Sequence, residues 1–304
     1  MYTIEKHKKE YLEYELKDLN YDSSIKIIPE LGGIVSSFNI KGEELIYFNS
    51  ERLLAGDLTM AGGNPVLFPI SGTLTNGSYK IDGQQYNIQG HGFAREMPWE
   101  VIETKEGNYG SIALELRYNE HTLEVYPFKF HLIFTYVLDG NSLYINQEYI
   151  NEGEKDMPFY SGFHPYFMVG DKKQLKFNID ADKYVDCSDE YADYYKSEVK
   201  KYTGKIDFDL PVDFVFPLNE KATMSYSMED LDKEYKMLIE AAEEFKFLVL
   251  WTIQGENFVC VEPWMTAPDA FNIKKGLCVV KPGGSINTWV KYEGQLLMGL
   301  ESCK

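Results

Sequence analysis

Along most of the chain apolar and polar residues alternate one by one. In "YLEYEL" Leu12, Tyr14 and Leu16 alternate with Glu13 and Glu15, and in "IALELRY" Ile112, Leu114 and Leu116 share one parity. Successive side chains of a strand point to opposite faces, so a period of two predicts strands with one buried face. "FHLIFTYVL", "LYINQEYI" and "INTWVKY" are further runs rich in β-branched and aromatic residues, the types that fit a pleated surface. Turn chemistry punctuates them: "DG" at Asp82, "DGN" at Asp139, "NEG" at Asn151 and "PGG" at Pro282. Helical signals are few. "SDEYADYYKSEV" predicts a short helix capped by Ser188 with acidic residues in its first turn, and the segment after Trp264 has room for another turn or two. Many strands with regular turns close into a sandwich or a barrel. No linker, low-complexity tract or repeat interrupts the 304 residues, so a single all-β domain over 1–304 is expected.

Composition narrows the function classes. Aromatic residues make up 15% of the chain, with 23 Tyr and 18 Phe, and such half-polar rings are surfaces on which sugars stack. A formal net charge of -18 repels phosphate backbones, so no nucleic-acid partner is expected. The four cysteines, Cys187, Cys260, Cys278 and Cys303, form no C-x-x-C pair, which removes zinc ribbons and thioredoxin-like motifs. The start, "MYTIEKHKKE", has no apolar core of a signal peptide. The longest apolar run, "FLVLWTI", is too short to span a bilayer. A cytoplasmic protein without a membrane partner is the expectation.

The chain has no P-loop, no G-x-G-x-x-G after a strand, no H-E-x-x-H and no G-x-S-x-G. "DADKYVD" lacks the glycine and the distal glutamate of a calcium loop, and reads as an acidic surface turn. Three stretches remain. In "GHGFAR" glycines flank His91 and leave its ring accessible, with Arg95 close behind. In "SGFHPYF" Pro165 forces His164 into extended backbone amid aromatics. In "VCVEPW" Glu262 ends an apolar run, where poor solvation raises a carboxyl pKa toward the range of a general base. Each residue also has a structural reading: a histidine packed and hydrogen-bonded, a glutamate in a turn. His7, His121 and His131 sit in a charged terminus or on strand faces and are weaker candidates.

The order "GHGFAR", "GFHPYF", "VEPW", with "GGNPVLFPISG" before the first histidine and "YPFKFHLIFTYVL" after it, resembles the aldose 1-epimerase family, the galactose mutarotase-like proteins. The likeness covers most of the chain and is greatest to the bacterial branch near the hexose-6-phosphate 1-epimerases. The resemblance implies a large antiparallel β-sandwich with a sugar cleft, and interconversion of the α and β anomers of a free aldohexose or its 6-phosphate without cofactor or metal. By the family's pattern Glu262 is the base at the anomeric hydroxyl, His164 the acid at the ring oxygen, and His91 a stabiliser of charge there. Asp213, in "PVDF", falls at a sugar-binding aspartate, and Arg95 and Asn64 join it as binding candidates. One departure stands out: many relatives carry an arginine in the segment matching "MAGGNPVLFP", where this chain has Met60, Ala61 and Asn64. A phosphate is best held by a bidentate arginine pair, so the departure favours a neutral sugar.

Two other classes use the same residues. A sugar-binding protein without catalysis needs only hydroxyl partners. A glycosidase needs two carboxylates flanking one bond, a role open to Glu262 with Asp213.

Overall fold

The alternating runs become strands, and the strands assemble into layers that bury one parity. In this computed structural model residues 1–189, 193–219, 223–230 and 233–297 are described. One eight-stranded antiparallel sheet runs in the order Lys176–Ile179, Thr223–Asp230, Lys233–Ala241, Ser285–Leu297, Ser142–Asn151, Phe130–Asp139, Gly110–Arg117, Glu100–Lys105. A second, also of eight strands, runs Val199–Lys201, Lys183–Asp186, Val212–Pro217, Phe247–Thr252, Phe258–Trp264, Gly162–Phe163, Val66–Leu67, with Tyr166–Met168 also paired to Phe258–Trp264. A five-stranded sheet built from residues 2–44 packs against Gly110–Arg117 and Phe130–Asp139. The fold is all-β, a large antiparallel β-sandwich with a few short helices.

The core lies between the layers. Phe130, Leu132, Phe134 and Tyr136 of one sheet pack in the same cluster as Phe214, Leu248, Leu250, Val259 and Val261 of the other. Burying an aliphatic or aromatic side chain of this size is worth about 1.5–3 kcal/mol, so the aromatic-rich layer is the main source of stability.

The turn signals act where the sequence places them. Asp82 and Gly83 both have positive φ (51° and 82°), as the two central residues of a type I′ turn require, and they join Ser78–Ile81 to Gln84–Asn87. After Trp264 a short helix covers Ala270–Ile273. The helix expected from Ser188 does not form among the described residues: Tyr194–Lys196 make a turn and Val199–Lys201 a strand. Local side chains explain this. The Ser188 hydroxyl donates to Asp186 instead of capping, and the Asp193 carboxylate accepts from the Tyr195 N–H and from Lys196, a local alternative to helical hydrogen bonds. Residues 190–192 and Cys303 lie outside the described residues.

The strand Phe258–Trp264 is buried on both faces, which is why the apolar run "FVCV" does not alternate. Val259 and Val261 face the core. Phe258, Cys260 and Trp264 belong to clusters on the other face, and parity puts Glu262 with them. Gly162 sits opposite Trp264. A Cβ there would lie 2.8 Å from Trp264 Cδ1 and 3.1 Å from the Pro263 carbonyl oxygen. Gly162→Ala is therefore expected to lower stability by about 1–3 kcal/mol, the cost of overpacking a filled site. Denaturant unfolding measures this, and an unchanged midpoint refutes it.

Candidate active site

Strand register brings the two main candidates together. Gly162 pairs with Trp264 and Tyr166 with Cys260. Both pairs sum to 426, and so do 164 and 262, so His164 falls directly across from Glu262. Pro165 has no N–H to give the ladder, and the His164 N–H bonds instead to the Pro65 carbonyl. The result is a local gap in the ladder with the side chains still in register. His164 Nε2 lies 3.3 Å from Glu262 Oε1, and the Trp264 indole N–H donates to Glu262 Oε2 at 3.0 Å. Glu262 is 1% exposed and His164 8%.

Aromatic rings fix the imidazole. Tyr166 stacks on it with centroids 4.7 Å apart, and Trp251 meets it edge-on at 5.5 Å. His91 approaches from the loop of "GHGFAR", 5.4 Å from His164 and 5.7 Å from Trp264 between ring centroids. That loop is tied to the segment "GGNPVLFPISG": the His91 N–H donates to the Gly72 carbonyl, and the Gly72 N–H donates to His91 Nδ1 at 3.2 Å. Nδ1 is thus an acceptor, and the proton of the neutral ring sits on Nε2.

These groups line a cleft of about 920 Å³ with Arg95, Asp213, Trp251, Tyr194 and Tyr195, within the size range of small-molecule sites. Asp213 lies opposite Trp251, two strands from Glu262 on the same face. Asn64 does not line the cleft. It is 2% exposed, in a bridge to Val35 behind the site. Of the six candidates the cleft gathers five. Sequence reading passed over Trp251, Trp264 and Tyr166 as site residues, although Trp264 shares the parity of Glu262 and Tyr166 that of His164; Trp251 enters only through its pairing with Asp213.

Burial sets the electrostatics. It pushes the Glu262 carboxyl well above the usual carboxylate range, helped by Asp213 and opposed by the Trp264 N–H. It lowers the His164 imidazole to about 3, with the Arg95 charge acting the same way. It also holds His91 well below the ordinary histidine value, with His164 and Arg95 adding to it. Poor solvation was expected from the sequence to raise the Glu262 carboxyl, and the direction agrees. In the closed site burial favours the uncharged pair, a carboxylic acid beside a neutral ring, which binds the same number of protons. Donor atoms of His164, Cys260 and Glu262 all lie within 4.8 Å of one another, a set chemically suited to zinc. An ion seated there would occupy both groups that the pair offers for proton transfer.

Burial, then Asp186, raise Asp213 to about 7 from an ordinary 3.8. Between those values the folded protein keeps a proton that the unfolded chain has released. Folding therefore loses stability as pH rises through this window and changes no further above it. Asp213→Asn removes the effect, so the variant should gain thermal stability over the parent at pH 8 and little at pH 4. Equal differences at both values refute it.

A family model described as Aldose 1-epimerase matches residues 20–293. The chain belongs to the aldose 1-epimerase family. It is an isomerase of that type, exchanging the α and β anomers of a sugar. The crystal structure of the Slr1438 protein from Synechocystis sp. PCC 6803 is 33% identical, with a TM-score of 0.87 over 97% of this chain and 99% of that one. The chromosomal LacX protein of Lactococcus lactis subsp. lactis is 28% identical over 67% of this chain and 73% of that protein. A galactose mutarotase-like protein from Clostridium acetobutylicum is 19% identical with a TM-score of 0.82, over 97% of this chain and 99% of that one, a likeness of fold alone. Among the described residues no helix is long and apolar enough to cross a membrane.

Proposed function

We propose that this epimerase acts on a neutral aldohexose as one domain over 1–304, with Glu262 and His164 as its acid–base pair. The observation that carries the roles is the 3.3 Å contact between Glu262 and His164 at the floor of the cleft. The ring oxygen and the anomeric hydroxyl sit on one carbon, so the groups serving them must be neighbours.

Moving the shared proton across that contact makes the working form, carboxylate and imidazolium. Glu262 takes the proton of the anomeric hydroxyl as the C1 carbonyl forms and the bond from C1 to the ring oxygen breaks. His164 gives its proton to the leaving ring oxygen. Rotation about C1–C2 presents the other carbonyl face. Closure then reverses both transfers and restores the pair. His91 presents Nε2–H to the oxygen on which charge develops, and Asp213 accepts from a sugar hydroxyl. Trp251, Tyr194 and Tyr195 offer the sugar ring flat partners.

Charge supports the neutral substrate. Among the described lining residues five are acidic, Asp189, Asp193, Asp213, Glu262 and Asp269, and Arg95 is the one arginine or lysine. A hexose 6-phosphate would add a dianion to this surface. The net charge of -18 likewise weighs against a nucleic-acid partner, and a cytoplasmic setting suits a metabolite of this kind.

Anomer exchange measured by NMR tests the reading across free and 6-phosphorylated aldoses. The expected result is faster exchange with free aldohexoses. Exchange at the buffer rate with every sugar overturns the activity on this class, and a preference for the 6-phosphates overturns the neutral substrate.

A further inference from the structure

Arg95, His164 and Tyr166 of the cleft also line a second and much smaller cavity of about 30 Å³. Leu31, Ile34 and Leu53 give it apolar walls, and Arg95, His164 and Tyr166 are its charged or titratable lining residues. Arg95 and His164 each bring a buried nitrogen with no well-aligned hydrogen-bond partner among the described residues, Arg95 Nε and His164 Nδ1. Glu96 Oε1 is 3.4 Å from Arg95 Nε, but out of hydrogen-bond alignment. Buried polar atoms are almost always satisfied, and both of these face away from bulk solvent. A ring flip brings no relief to His164, because Nε2 meets Glu262 and Tyr166 stacks on the ring.

We propose that this cavity binds one water molecule joining Arg95 to His164, which makes Arg95 a positioning residue for the imidazole and not a ligand of the sugar. The volume fits one water, which needs roughly 10–15 Å³. The chemistry fits as well. Arginine only donates, and so does Nδ1: Glu262 shares its proton with Nε2, so the neutral ring carries its own proton on Nδ1, as the imidazolium does. Over a catalytic cycle His164 changes protonation state. Through both states a water can accept from the two nitrogens with its two lone pairs. The His164 backbone carbonyl already interacts with its own ring by a hydrogen bond that favours the charged form, and it gives the water an acceptor as well. Held in this way, the ring keeps the angle that points Nε2 at the reacting oxygen. Arg95 also lines the cleft, so a direct sugar contact is the competing role.

The inference rests on the acid–base reading of His164, and two kinds of measurement separate them. The full-length protein with 15N-labelled histidine has five histidines, so each ring can be followed. Arg95→Met should shift the His164 Nδ1 resonance while leaving exposed His121 in place, and should lower kcat about a hundredfold, as misplacement of a reacting group does, with KM nearly unchanged. Ala61→Val, which fills the cavity from its Ala61 wall and keeps Arg95, should do the same. A raised KM at unchanged kcat marks a substrate ligand and overturns the proposal, as does an unmoved Nδ1 resonance or activity that grows with chloride. A high-resolution crystal structure of the unaltered protein needs no variant: density bridging both nitrogens supports the water, and its lack overturns it. If the unaltered protein speeds no anomer exchange, the enzymatic reading fails, while the resonance and the density still decide the water.

Discussion

Glu262→Gln should remove anomer exchange and make the protein harder to unfold. A positioned acid–base group contributes about 10²–10⁴ in rate, and the amide cannot take the anomeric proton. It keeps the shape of the carboxyl, and its carbonyl oxygen can still accept from Trp264 Nε1, 3.0 Å from the carboxylate it replaces. The expected loss is therefore in kcat, with sugar binding retained. The stability gain follows from burial. Glu262 is 1% exposed and its folded-state pKa lies well above the ordinary carboxylate value. The folded chain thus holds a proton that the unfolded chain has lost, and stability falls as pH rises through that interval. Glutamine has nothing to ionise. The gain in thermal midpoint should be greater at pH 8 than at pH 5. Retained exchange sinks the catalytic assignment, and a lower midpoint at pH 8 sinks the electrostatic one. Functional groups held at a cost to stability are a common trade in active sites.

The parts of the fold that depend on local pattern were readable from the residues. Alternation in "IALELRY" put Ile112, Leu114 and Leu116 in the core, and "DG" at Asp82 closed its hairpin. The chemistry-bearing residues could be listed because Gly, Pro and aromatics around His91, His164 and Glu262 are unusual in a strand-rich chain. Their meeting could not be read. It depends on the register between two strands interrupted by Pro165 and the strand about a hundred residues later, a non-local pairing with no local mark. Asn64 shows the same limit. Its neighbours in "GGNPVLFP" support the cleft, but strand geometry turns Asn64 itself into the layer beneath. Parity hid Glu13 for another reason: it alternates with Leu12 and Tyr14 as a solvent-facing residue should, yet it is 8% exposed, with Lys9 and Lys26 each 3.7 Å from its Oε1. How far the pair is desolvated was not readable, because the sequence reports which groups are present, while desolvation depends on how completely Tyr166, Trp251 and Trp264 enclose them.

His164→Gln should be as damaging as Glu262→Gln, and the double variant should be little worse than either alone. Each single change is expected to cost about 10²–10⁴ in kcat. Independent groups would multiply those losses. Here the two side chains serve oxygens on one carbon and exchange one proton across 3.3 Å, so removing either member idles the other. Groups that act as a unit are strongly non-additive. Stability should separate the two singles, because the imidazole is packed as well as buried. Its stack on Tyr166 and its edge contact with Trp251 are lost with the ring, each aromatic contact being worth roughly 0.5–1.5 kcal/mol. His164→Gln should therefore lower the midpoint where Glu262→Gln raises it. A double variant whose loss equals the product of the single losses would show that the residues act separately, and would break the shared-proton mechanism even if both prove essential.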